Sequence, residues 1–384
     1  MRNCSRHTAP GKRFVLLVCC ILAVILSIAP GCRRQEPIPI GFLGGLTGRV
    51  ADLGIAGRDG AILAVEERNR AGGIHGRLLE LRIADDAQDE LTARAALQKL
   101  LDEGVVAVIG PMTSAMALAV QPLADAHRTL LLGPTVSSDE LSGRDDYFLR
   151  TASTNAQGAR LLAEHAAVAL GLSRINVLYD LGNRSYCESL YLSFAREFAA
   201  RGGQVAGVLT YTSGSEINFL ELARQATEDA QALFIIANAL DTGMFAQQLA
   251  KLGRPLPLMT GEWAATGDII EYGGEAVEGL TFFNTFDPGH ASPAYRGFRA
   301  AFDRRFNYDG GFAAAHAYDA TQLLIRALEQ NPHRQHLKET LLNMGSFQGL
   351  QTELRLDAFG DAIRPHFPMT IRDGQFQAGD RVQD

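Results

Sequence analysis

Short apolar runs alternate with longer segments of helical period along most of the chain. Ile40–Leu43 is a run that stops at glycines, as a buried strand does, and Gly44–Gly48 reads as a loop. A helix is predicted from about Gly57 to Arg70, with Ala61, Ile62 and Val65 on one face. Ala71-Gly72-Gly73 ends it, because glycine accepts the left-handed conformation after a helix. Leu78–Ile83 alternates apolar and charged positions like a strand, Leu91–Leu101 reads as a helix, and Val105–Gly110 as a fully buried strand. Ala115–His127 is predicted helical and Leu130–Leu132 a strand.

The pattern then recurs. Helices are predicted at Leu161–Leu170, Leu190–Ala200, Leu220–Glu228 and Met244–Lys251. Between them lie strands at Ile175–Tyr179, Val205–Tyr211 and Ala232–Ala237, with another starting at Leu258. Helices follow around Ala294–Phe306 and Ala313–Leu328, and Leu354–Phe376 is turn-rich and strand-like. Strands alternating with helices imply parallel sheets covered on both faces. Two such runs imply an α/β protein of two Rossmann-like lobes. In open α/β sheets ligands bind at the C-terminal strand ends. That rule marks Gly44–Gly54, Pro111–Ser114, Gly133–Ser138, Asp180–Tyr186, Asn238–Asp241 and Gly261–Trp263.

Charge changes this picture at the N-terminus. Residues 1–31 carry Arg2, Arg6, Lys12, Arg13 and no acid, so a +4 leader precedes a remainder of −11 within the net −7. Phe14–Ile28 is a 15-residue apolar run, short for a span of roughly 20 and suited to a secretory signal. It ends at Ala29-Pro30-Gly31-Cys32, which resembles the lipobox of bacterial lipoproteins. There the cysteine is lipidated and begins the mature chain, although Ala29 and Pro30 depart from the usual pattern. The acidic balance argues against nucleic acid as a partner. Of the five cysteines, Cys4, Cys19 and Cys20 lie in the leader. With Cys32 lipidated, Cys187 has no partner for a disulfide and reads as structural.

Catalytic patterns are missing. Gly41, Gly44, Gly45 and Gly48 do not match the dinucleotide spacing, and neither a P-loop nor a nucleophile elbow occurs. His333 and His336 lack an acidic or cysteine partner and read as a solvated loop, and none of the four lysines lies at a strand end. Asp85-Asp86 reads as a helix-capping pair rather than a metal or acid–base pair. No metal, cofactor or enzymatic activity is expected. What remains is a set of strand-end hydroxyls, Thr113, Ser114, Thr135, Ser137 and Ser138, and one strand-end acid, Glu262. Hydroxyls and free amides at a helix N-terminus favour a carboxylate. A lone acid across a cleft favours an ammonium. Together they suit an α-amino acid.

From about Ile38 onward the chain resembles the type I periplasmic binding proteins, specifically the branched-chain amino-acid (Leu/Ile/Val) receptors of bacterial ABC importers. The carrying segments are Ala71–Arg77, Ala84–Ala87, Val108–Gly110, Gly133–Ser137, Leu149–Thr151 and Ala317–Ala320. The resemblance implies two lobes joined by a hinge of three crossings, near Ser153, Thr285 and Gln351. It divides the chain into a signal at 1–31, a tether at 32–37, one lobe from 38–153 and 286–350, and the other from 154–285 and 351–384. It places the carboxylate-binding serine at Ser114, further strand-end contacts at Thr135 and Ser137, and the ammonium-binding glutamate at Glu262. Its covering aromatic falls on Leu53, a second-lobe aromatic on Tyr186 (or Ser185, through an insertion), and another on Asn238. Trp263 has no certain counterpart. A disulfide of some relatives would need cysteines at Gln88 and Thr113 and is absent. The implied protein is a monomeric, exported, lipid-anchored receptor, periplasmic or at the cell surface, that delivers an amino acid to an ABC permease. Asn238 would suit a ligand more polar than leucine. A sensing receptor for amide- or urea-like compounds on the same fold is the alternative.

Overall fold

The buried run Ile38–Leu43 forms an inner strand of the first sheet, and the chain adds strands on both sides of it. A computed structural model describes residues 35–48 and 50–382, so the leader and Cys32 lie outside the described residues. In chain order come β1 (Ile38–Gly44), α1 (Ala51–Arg70), β2 (Leu79–Asp85), α2 (Glu90–Asp102), β3 (Ala107–Ile109), α3 (Ser114–Ala126), β4 (Leu130–Gly133) and β5 (Phe148–Arg150). The strand order is β2-β1-β3-β4-β5, with every pair parallel. β3 and β4 are buried at every position because helices cover both faces.

The chain then enters a second sheet. It runs through α4 (Asn155–Glu164), β6 (Arg174–Asp180), α5 (Arg184–Ala199), β7 (Gln204–Tyr211), α6 (Phe219–Ala226), β8 (Ala232–Ile236), α7 (Ala239–Lys251), β9 (Leu258–Thr260), α8 (Gly267–Gly273) and β10 (Thr281–Asn284). It returns through α9 (Pro293–Phe306), α10 (Gly311–Gln330) and α11 (Leu337–Asn343), and α10 packs along α1. β11 (Ser346–Gln348), β12 (Glu353–Leu356) and β13 (Ala362–Ile363) form a small antiparallel sheet. Finally β14 (Phe367–Arg372) and β15 (Gln375–Ala378) join the second sheet, in the order β15-β14-β10-β9-β8-β6-β7. β14 and β15 pair antiparallel, so this sheet is parallel-dominated rather than wholly parallel.

Two sequence expectations need correction. α1 begins at Ala51, not Gly57, and its glycines are packing contacts. A Cβ at Gly54 would lie 1.9 Å from the Gly45 carbonyl oxygen, and one at Gly60 would lie 2.1 Å from that of Ala314. Only glycine lets α1 approach both the β1 loop and α10 so closely. The residue that caps α2 is Asp89, whose side chain accepts from the Thr92 amide at 2.8 Å, rather than the Asp85-Asp86 pair. Asp85 instead fixes the loop after β1, accepting from the Leu46 amide at 2.7 Å and the Thr47 hydroxyl at 2.6 Å. Asp86 is buried, and its carboxyl is pushed up to about 6, chiefly by loss of solvent.

One half-buried and one buried ion pair join segments distant in the chain. Arg150, at the end of β5 and fully buried, meets Asp361 at 2.6 Å and donates to the Ser138 carbonyl at 2.9 Å. Arg364 meets Asp319 of α10 at 2.5 Å, and Asp319 also accepts from the Leu350 amide at 2.9 Å.

Candidate functional site

The strand ends of the two sheets face each other across a closed cleft. On the first-sheet side, β3 feeds Met112 and Thr113 into the N-terminus of α3. Ser114 is its first residue, and its Oγ accepts from the Ser138 amide at 3.2 Å and, more weakly, from that of Ser137 at 3.4 Å. Thr135 Oγ1 donates to the Met112 carbonyl. Thr113 donates to Gln88 Oε1 at 3.1 Å, so the two positions implied for a relative's disulfide share a hydrogen bond here. The Ser137 hydroxyl is buried without a partner.

On the second-sheet side, Gly261 follows β9 and turns the chain so that Glu262 and Trp263 project toward the cleft. The buried Tyr186 phenol lies against both. Its oxygen accepts from the Trp263 amide at 3.4 Å, and the rings meet edge to face with centroids 5.9 Å apart. The Glu262 side chain makes no hydrogen bond or ion pair with the described residues. Burial pushes its carboxyl up to about 7, a shift partly opposed by the charge of Arg364.

Two chambers meet at Glu262 and Tyr186. The smaller is lined by Leu53, Met112, Thr113, Ser114, Thr135, Asn183, Tyr186, Glu262, Trp263 and Phe312. The larger is lined in part by Ser137, Ser153, Asn155, Thr260, Glu262, Phe283 and His366. The Ser153 hydroxyl, like that of Ser137, is buried without a partner. Seven of the eight residues expected from sequence therefore line one chamber or the other. Asn238 lines neither. Its side chain caps α7, accepting from the Asp241 amide at 2.8 Å and donating to the Asp241 carboxylate at 2.9 Å. The inference of a polar ligand drawn from Asn238 loses its basis. Sequence reasoning missed Phe312, at the start of α10, and His366, just before β14, as lining residues, and named Ser153 only as a crossing between lobes.

Direct contacts across the cleft hold it shut. Asp139, after β4, accepts from the hydroxyls of Ser189 and Ser193 on α5 at 3.0 and 2.9 Å. Ser138 donates to the Ser185 carbonyl at 2.9 Å, and Thr266 donates to Asp52 of α1 at 2.6 Å. Asn183 Oδ1 accepts the Ala115 amide at the α3 N-terminus at 3.1 Å.

Two parallel-dominated sheets with facing strand ends and repeated crossings define the type I periplasmic binding fold. A leucine binding protein LivK from Thermotoga maritima superposes with a TM-score of 0.83 at 24% identity, over 90% of this chain and 99% of that one. An ABC transporter substrate-binding protein from Desulfitobacterium hafniense, solved with Leu, superposes with a TM-score of 0.74 at 26% identity, over 90% and 100%. The sequence is 27% identical to the Leu/Ile/Val-binding protein BraC3 of Rhizobium johnstonii over 69% of this chain and 72% of that protein. A family model described as periplasmic binding protein matches residues 37–375, and the chain belongs to that family.

Proposed function

We propose that this protein is the extracytoplasmic substrate-binding component of an ABC importer and that it binds an α-amino acid, branched-chain or related, in the cleft. The observation that carries the reading is Glu262. A partly buried carboxylate with no partner of its own, opposite the Ser114 hydroxyl and the positive end of α3, is a complement for a zwitterion. The relatives named for leucine, or for leucine, isoleucine and valine, support the same ligand class.

The mechanism follows from where the groups sit. The lobes are taken as 38–153 with 286–350, and 154–285 with 351–384. Ligand docks on Ser114, Thr135 and Ser137 of the first lobe. Closure then brings Glu262 and Tyr186 over it and excludes water. Charge-assisted hydrogen bonds of roughly 1.5–3 kcal/mol each, offset by ordering costs, suit micromolar affinity. Only the closed form touches ligand with both lobes, so ligand shifts the population toward it, and that form is what a permease would recognise. The mature chain is anchored through lipidated Cys32 and acts as a monomer.

A thermal-shift screen of the chain lacking residues 1–32 tests this against amino acids, amides and short-chain acids. An amino acid at a hundred times its dissociation constant adds about 2.7 kcal/mol of stability and raises Tm. A response to amides or acids alone, with none to any amino acid, refutes the reading. Cys32→Ser should move the full-length protein from the detergent phase to the aqueous phase.

A further inference from the structure

The smaller chamber is amphipathic. Ser114, Thr135 and Glu262 form its polar end, and Leu53, Met112, Phe312 and Trp263 its apolar end. Taking the ligand to be an α-amino acid, as above, we infer that Trp263 sets the length of side chain the cleft accepts, and that the ligand is an amino acid with a short side chain.

With its ammonium at Glu262 and its carboxylate at Ser114, such a ligand directs its side chain into the apolar end. That end is already filled. The Trp263 indole is buried and set edge-on against Tyr186. Tyr186 cannot retreat, because a Cβ at Gly261 would already lie 2.3 Å from its phenol oxygen. On the facing wall, Met112 is pressed onto α1, where a Cβ at Gly57 would lie 2.3 Å from its methyl carbon. Phe312 is buried behind them. The whole chamber, its polar end included, leaves space for about one water molecule. Any amino acid therefore enters by parting these walls, and the smallest side chain parts them least. Each further carbon must displace a packed wall, and a pocket discriminates by roughly tenfold or more per misfitting methylene.

The test is calorimetric titration of the purified protein with glycine, L-alanine, L-serine, L-2-aminobutyrate, L-valine and L-leucine. Alanine or serine should bind about tenfold or more tighter than leucine. Trp263→Ala should abolish or reverse that order, and Trp263→Phe should fall between. Trp263 is the only tryptophan, so its fluorescence follows each wild-type titration independently. Leucine binding as tightly as alanine overturns the inference from the wild-type series alone, whatever the variants do. So does a folded Trp263→Ala protein that keeps the wild-type order. So does tightest binding by longer polar side chains with no dependence on Trp263, which would place the side chain in the larger chamber. In these cases the amino-acid reading stands; binding of no amino acid at all removes both.

Discussion

Replacing Glu262 by glutamine tests the site at its centre, because the variant keeps the shape and removes the charge. In the empty cleft the carboxyl titrates at about 7 rather than 4.5. Ionising it there therefore costs about 3 kcal/mol more than in water. The sign follows from linkage. Below about pH 4.5 both folded and unfolded chains are protonated at this position and no penalty exists. Between about 4.5 and 7 the unfolded chain ionises first, so this group's contribution to stability falls as pH rises. Above 7 the whole penalty is present, and Glu262→Gln should make the empty protein more stable there. A bound ammonium reverses the balance by stabilising the carboxylate, so binding releases a proton wherever the empty site is protonated. At pH 6 about a tenth of the empty sites are ionised, and at pH 8 about nine-tenths. Wild-type affinity for the tightest amino acid of the screen should therefore be about tenfold weaker at pH 6 than at pH 8. Calorimetry in buffers of different ionisation heat should count nearly one proton released at pH 6 and almost none at pH 8. Glu262→Gln should bind more than a hundredfold more weakly, since breaking a buried ion pair costs about 3–5 kcal/mol, and without the pH dependence. A flat wild-type profile, or a loss below threefold in the variant, would show that no ammonium sits at Glu262.

Three further outcomes follow from the packing. Asp139→Ala removes the acceptor shared by Ser189 and Ser193, and should weaken ligand binding by about 1–3 kcal/mol through the closed state alone, read by titration and by small-angle scattering of the empty protein. Gly60→Ala forces a methyl group onto the Ala314 carbonyl, and should cost about 1–3 kcal/mol or more in urea denaturation with little change in ligand preference. Arg150→Met leaves the Ser138 carbonyl without its donor and the half-buried Asp361 without its cation, and should lower stability by about 1–3 kcal/mol in urea denaturation.

The strand-end rule located most of the cleft because a parallel α/β sheet delivers every C-terminal strand end to one edge. Ser114, Thr135, Ser137, Glu262 and Trp263 lie within a few residues of such ends, so apolar periodicity alone pointed toward them. Asn238 shows where the rule fails. It has the right position in the chain, but a following helix offers an unpaired amide nearby, and a short amide side chain caps it rather than facing the cleft. The start of α1 was hidden for a related reason. Gly54, Gly57 and Gly60 serve close approaches to Gly45, Met112 and Ala314, and no local pattern reports neighbours so placed. The ion pairs Arg150–Asp361 and Arg364–Asp319 were illegible for the same cause, since a pairing across 211 or 45 residues leaves no local pattern.

The manner in which the second sheet is finished governs how the chain can fold. β10 acquires its outer neighbour only from β14, with Thr281 opposite Thr370, and α1 acquires its partner only from α10. The first half waits for residues 311–330, and the second sheet for residues 367–378. Contacts so distant in sequence are slow to form, because the intervening loop must close first. A chain cut before β14 keeps the first sheet and its helices but leaves the β10 edge of the second sheet open. Such a truncation should yield an aggregation-prone fragment.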